Sequence, residues 1–525
     1  MLLLGIITLV MTIPLASTYL STILIHRIAF LILLFSSLLA YNTLYVVPLS
    51  TGVGLLGGLF QTTILSQSLE IFILIIGSII LLIAPSGEKI NKELSSLNKE
   101  NNFDSNKTTM STWNYWDNLS SNVKEVLPTT KNKEGLKDYP LIILFTTLGM
   151  SSLISSSDLI TMFLAIELQS FALYILATMN RNSESAVAAG LKYFLLGGLS
   201  SCFILLGSTL IYSYTGLTNF ESLNILQSVI GQSFENNSYN YLAIGCIILT
   251  IGLLFKIGAA PLHSWAPDVY DGVPTMVTTW LTIMPKLSIL VFFIMNNFLI
   301  EPNLLMISAL LSLLLGSITG LAQYKIKRLL AYSTISHVGL ILLALGNESI
   351  NGLESTIFYI VQYSITSLNI FLILILLGYT LSVNKTVSIY SPIQFISQLQ
   401  GQFYQNPTLS LALAISLFSM GGIPPLVGFF GKYFVINSAL MNGNYFLSLV
   451  IVITSVISTV YYLKIIKTLF LPVANDSTST SENNNLSPIL AFIVAILTLF
   501  IIFFMIYPTP ILNSIHLIAL NTYYF

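Results

Sequence analysis

Three lysines, Lys256, Lys286 and Lys432, and one glutamate, Glu167, lie inside stretches that are otherwise almost wholly apolar, such as DLITMFLAIELQSFALYIL around the glutamate. A charge at the middle of a bilayer costs at least about 2.5–3.5 kcal/mol on insertion scales, so charges found there mark an ion or proton path. Lysine suits proton transfer. Taking it out of water disfavours its charged form, and a carboxylate brought close restores it. Movement of Glu167 towards or away from Lys256 would therefore switch the amine between holding and releasing a proton. Arginine would stay protonated. The competing reading is a fixed structural ion pair between Glu167 and Lys256. Lys286 and Lys432 have no evident carboxylate in their own stretches.

Histidine changes charge near neutral pH, which makes two of the four histidines relay candidates. His337, in STISHVGL, could pass protons between Lys286 and Lys432, and His263 lies between two prolines beside Trp265. A packed, hydrogen-bonded histidine fits either position as well. Asp268 and Asp271 read as helix caps.

The elements that position these groups are membrane helices. Hydrophobic residues make up 55% of the 525-residue chain and charged ones 8%, against roughly 25% charged in soluble domains. The two cysteines, Cys202 and Cys246, lie far apart in apolar runs, so no iron–sulfur or zinc framework is expected. A net charge of −1 gives no sign of a nucleic-acid partner. No GxGxxG or phosphate-binding loop is present to hold a nucleotide. The opening MLLLGIITLVMTIPLAS reads as a span with neither a basic leader nor an Arg/Ser-rich transit segment.

The expected fold is an all-α polytopic membrane protein of about fourteen spans. Three occupy 1–84, at roughly 1–17, 25–47 and 56–84, and a polar stretch follows at 85–138. Spans four to eight fill 139–297, at about 140–155, 158–178, 188–213, 241–265 and 275–297. Spans nine to thirteen fill 303–470, at about 303–323, 329–346, 354–381, 408–439 and 445–470. A last span lies in 487–525, with an apolar tail at an interface.

Charge tests the count. With fourteen spans, the loops on one face receive Arg27, the eight lysines of 85–138, Arg181, Lys325, Lys327, Arg328, Lys385 and Lys467. The opposite loops receive Asp158, Glu221, Glu235, Glu301, Glu348 and Glu354, and no Lys or Arg. Basic residues mark the side from which insertion occurred, so both termini face away from that side.

Span seven, GLLFKIGAAPLHSWAPDVYDGVPT, is expected to break at Pro261 and Pro267, and span twelve, LFSMGGIPPLVGFFGKYFVI, at Gly421-Gly422 and Pro424-Pro425. Each carries a buried lysine. The breaks are five spans apart, and five is odd, so spans four to eight and nine to thirteen should be inverted repeats with Lys256 and Lys432 at corresponding places. Paired broken helices of this kind frame ion sites near the midplane of many transporters.

AGLKYFLLGG, LLFKIGAAPLHSWAPDVYDGVPT, LAYSTISHVGL and GGIPPLVGFFGKYF resemble the proton-pumping membrane subunits of respiratory complex I and related cation/proton antiporters. The motifs cover about 140–470, and the span count extends the resemblance to the whole chain. PDVYDG separates it from branches with PEAH-like or PDAMEGP-like versions. By that resemblance Glu167 matches the family's span-five glutamate and Lys256 its span-seven lysine. Lys286 matches the bridging span-eight lysine, Lys432 the span-twelve lysine, and Lys192 a motif position early in span six. The long polar segment 85–138 departs from the compact bacterial members.

The resemblance implies a chain that carries protons and holds no cofactor. NADH, FMN, iron–sulfur clusters and ubiquinone belong to partner subunits. The implied partners are other membrane-arm subunits of complex I, including the subunit 4-like antiporter homologue, and membrane lipids. With a composition typical of an AT-rich organellar genome, the expected location is the mitochondrial inner membrane of a fungus, with both termini towards the intermembrane space. The alternative is a subunit of a multi-subunit Na+/H+ antiporter.

Overall fold

The computed structural model describes residues 1–15, 22–46, 52–82, 132–181, 183–230, 236–384, 393–472 and 488–524. Of the polar stretch at 85–138, residues 85–131 lie outside the described residues. Among the described residues, nine helices of at least 18 residues are apolar enough to cross a membrane, and six shorter apolar helices accompany them. Two of the shorter ones, Pro407–Gly421 and Val427–Met441, are the halves of span twelve. Taken as one, they bring the apolar segments among the described residues to fourteen, the number expected from the sequence.

Spans one to three are Leu2–Leu15, Thr22–Thr43 and Ile64–Leu81. Spans four to six are Asn132–Ile154, Leu159–Thr178 and Glu184–Thr215. Span seven runs as Asn236–Ile257, unwinds, and resumes as the short helix Trp265–Gly272. Span eight is Thr275–Met295. Spans nine to eleven are Pro302–Leu321, Ile326–Leu345 and Ile350–Asn384. Spans thirteen and fourteen are Tyr445–Phe470 and Pro488–Phe503, and the tail is a helix, Thr509–Tyr524.

The course of the backbone departs from the sequence reading in three places. Span three starts at Ile64 and not at 56, because Val53–Leu55 and Phe60–Thr62 form an antiparallel hairpin. Gly57 and Gly58, with φ of 73° and 87°, supply turn conformations that other residues rarely adopt. An additional helix, Phe220–Ile230, follows span six. Pro267 does not break span seven. It is the third residue of Trp265–Gly272, where a missing N–H has no helical acceptor to disappoint.

Loop contacts support the alternation of faces. Phe60 bridges Ser156, Asp158 bridges Asn219, and the Gln61 amide donates to Glu221 at 2.8 Å. The connections before span three, after span four and after span six therefore share one face. Lys325 bridges Phe395 and pairs with Asp271 at 2.7 Å, which puts the connections after spans seven, nine and eleven on the other.

The two five-span units repeat one set of neighbours. Consecutive helices pack from span four to span seven and again from nine to twelve, while spans eight and thirteen return to spans four and nine. Close backbone approach allows this. A Cβ at Gly207 would sit 2.6 Å from the Leu249 nitrogen between spans six and seven, and one at Gly316 would sit 2.7 Å from the Ser336 nitrogen between spans nine and ten. Without a hydrophobic drive in lipid, such small-residue contacts hold helices together by packing.

The tightest such place is the span-twelve break. There Gly428 lies against the Ser419 backbone, whose carbonyl carbon would be 2.6 Å from an added Cβ. Backbone on both sides leaves little to give. Gly428→Ala is expected to destabilise the protein by about 1–3 kcal/mol, read as a lower denaturation midpoint of the purified assembly. An unchanged midpoint would mean that the two half-helices are free to part.

Candidate functional site

Lys256 is in the last turn of the first half of span seven, and it is buried. Its Nζ donates to the Tyr174 hydroxyl at 3.1 Å and lies 5.6 Å from the centre of that ring. Glu167 stands two turns before Tyr174 on span five, with one carboxylate oxygen buried and without a hydrogen-bond partner. The two charges form no ion pair among the described residues. Lys432 follows its break instead of preceding it, so the two lysines do not hold equivalent chain positions. The backbone turn at Gly422, with φ of 86°, lets the side chain fold back. Lys432 Nζ donates to the Gly421 carbonyl, the end of the preceding half-helix, at 2.6 Å. Both lysines thus belong to the carbonyl end of a half-helix, where the helix dipole favours a cation.

Lys286 is buried, on a span that is buried along its length. Its Nζ donates to Thr334 Oγ1 at 3.0 Å and lies 5.6 Å from the Tyr270 ring centre. The residue before it, Pro285, stands inside span eight and leaves the Leu281 carbonyl without its helical donor. Tyr270 supplies one, its hydroxyl donating to that carbonyl at 3.4 Å. One turn beyond Thr334 on span ten, His337 Nδ1 is 2.7 Å from the Tyr359 hydroxyl and Nε2 is 3.0 Å from the Tyr462 hydroxyl. A small cavity lined by His337, Ser336, Ser458, Thr454 and Lys432 adjoins the imidazole, with room for about one water. Lys286, Thr334 and His337 thus form a line from span eight into span ten, and the cavity beside His337 is also lined by Lys432.

The remaining candidates lie off this line. The Lys192 side chain is 56% exposed and pairs with Asp268 at 2.8 Å. His263 is half-buried in the break of span seven, its ring 6.4 Å from Tyr332. Asp268 and Asp271 are not caps. Arg328 joins them at 3.0 and 3.1 Å, and Lys325 pairs with Asp271. Lys327, read as a loop residue, is buried in the first turn of span ten and donates to the Val273 carbonyl at 2.7 Å. Together these contacts clamp the start of span ten to the end of span seven. Sequence reasoning missed Tyr174, Tyr270, Thr334, Tyr359 and Tyr462, because tyrosine and threonine are ordinary in membrane helices. The three-residue spacing of Thr334 and His337, which puts both on one helix face, was the available signal.

Residues 156–458 match the family model described as NADH:quinone oxidoreductase/Mrp antiporter, TM. The chain is 50% identical to the NADH-ubiquinone oxidoreductase chain 2 of Rhizopus oryzae, over 100% of both proteins. It is 38% identical to the NADH-quinone oxidoreductase subunit N of Pelagibacter ubique, over 72% of this chain and 78% of that one. Among solved structures, a chain of respiratory complex I from Thermus thermophilus with bound aureothin superposes with a TM-score of 0.72 at 24% identity, covering 98% of this chain and 99% of that one. A chain of the Mrp complex from Dietzia has the same fold, with a TM-score of 0.74 at 19% identity, covering 99% and 96%.

Proposed function

We propose a proton-carrying role for the buried lysines of this chain, which belongs to the NADH:quinone oxidoreductase/Mrp antiporter transmembrane family. Within that family it is a membrane-arm subunit of complex I, of the chain 2 type, and so a non-redox part of a proton-translocating NADH:ubiquinone oxidoreductase. Its full-length relation to a chain 2 protein favours this over a subunit of a multi-subunit Na+/H+ antiporter.

In the proposed path, Glu167 and Lys256 form the entry pair of the first unit, Lys286 bridges the units, and Lys432 serves the second. Lys192 and His263 lie at the edges as auxiliary relay groups. Residues 1–84 would form three N-terminal spans, 85–138 a polar matrix-side loop, 139–297 and 303–470 the two inverted five-helix units, and 487–525 the closing span and tail. NADH, FMN, iron–sulfur clusters and ubiquinone would be handled by other subunits, and a subunit 4-like antiporter homologue would be a neighbour. The setting would be the mitochondrial inner membrane, with both termini towards the intermembrane space.

The observation that supports the path most strongly is the bond from Lys286 to Thr334, one helical turn from an imidazole held on both nitrogens. Direct hops need heavy atoms about 3 Å apart or one water between them, and the cavity beside Lys432 has room for that water. His337→Phe keeps a ring but removes both nitrogens. It is expected to lower proton pumping at least about tenfold, measured as acidification by sealed vesicles during NADH oxidation. Pumping at the unaltered rate would take His337 out of the path.

A further inference from the structure

Lys256 touches Tyr174 and not Glu167, and the surroundings hold Tyr174 in that place. Its ring meets Tyr193 edge-on at 4.8 Å and Phe194 at 5.7 Å. Beneath it span six has a glycine, Gly197, where a Cβ would fall 2.6 Å from the ring Cζ. Tyr193 in turn stacks on Trp265 at 4.9 Å, and Trp265 Nε1 donates to the carbonyl of Phe255, the residue before Lys256, at 2.9 Å. The contacts close a loop from Lys256 through three rings and back to its own half-helix. At the far end Trp265 meets Tyr270 at 6.2 Å, and Tyr270 lies under Lys286. One column of rings is thus capped by a lysine amine at each end.

We propose that Tyr174 is the positioning residue for Lys256, holding the amine in a second station apart from Glu167. The inference rests on the reading of Lys256 as a proton carrier. A phenol serves both protonation states of the amine. Its oxygen accepts from the ammonium, and its O–H donates to the neutral amine. The Glu167 carboxylate can only accept, so it favours the ammonium. Lys256 can therefore rest on Tyr174 with or without its proton, while Glu167 competes for it only when it is charged. Gly197 is the space that makes the Tyr174 station reachable.

The test uses the assembled complex in native membranes, with Tyr174→Phe, Gly197→Ala and Lys256→Ala in parallel. Tyr174→Phe keeps the ring column and removes only the hydroxyl. It is expected to lower kcat for NADH:ubiquinone turnover about three- to tenfold, the worth of one such hydrogen bond, with KM for both substrates unchanged. Gly197→Ala should give the same split by pushing the hydroxyl off Lys256, and it decides the question should the Phe variant not assemble. Full kcat in the assembled Tyr174→Phe complex, or in Gly197→Ala where that variant stands in for it, overturns the assignment of Tyr174. If Lys256→Ala also pumps normally, the underlying reading of Lys256 falls with it. If only that variant fails, Tyr174 alone is wrong.

Discussion

Lys256→Ala is expected to leave the complex assembled and its pumping abolished. An ammonium held in apolar surroundings by one phenol is expensive to keep, and trading it for a methyl group removes that cost, so the fold should survive. Electron transfer from NADH to a soluble acceptor such as ferricyanide does not pass through this subunit and should be normal. NADH:ubiquinone turnover coupled to pumping should fall by on the order of 100-fold, the low end of what a positioned acid–base group contributes. Normal pumping by the assembled variant would remove Lys256 from the path.

Lys432→Ala is expected to act with similar size and a different structural trace. Lys432 Nζ donates to the Gly421 carbonyl and lines the cavity shared with His337. Its loss strands that carbonyl and enlarges the cavity, which costs about 1–3 kcal/mol of stability for the unpaired acceptor. Pumping should fall by on the order of 100-fold while the denaturation midpoint drops measurably. Lys256→Ala should show the functional loss with a smaller drop, since the Tyr174 hydroxyl it leaves can rotate to another partner and a backbone carbonyl cannot. Equal stability losses in both variants would contradict the distinct partners assigned to the two lysines.

Much of this was legible in the residues. Spans came from apolar runs, and the sorting of Lys and Arg away from Asp and Glu agrees with the six connections that the structure joins into two groups. The breaks came from Pro261 and Pro424-Pro425. Tertiary partners were not legible. Periodicity is blind to the fact that Lys432 folds back on Gly421, or that Tyr174 crosses Gly197 to reach Lys256. The hairpin before span three was hidden because VGLLGGLF is apolar enough to pass for helix, although its glycines announced a turn. Lys327 was misplaced for a related reason. In KIKR the middle lysine points inward while its neighbours pair with Asp271 and Asp268, and a count of loop charges does not separate the two directions.

Lys286→Arg tests the central claim most directly, because it separates carrying a proton from merely being charged. Arginine keeps the cation beside Thr334 and Tyr270 but does not release its proton in a protein. Proton release and NADH oxidation should be recorded together in sealed vesicles of the assembled variant. A relay through Lys286 predicts that pumping is lost although the positive charge remains. An unchanged number of protons per NADH would contradict the account, since a fixed charge would then be doing all that Lys286 does.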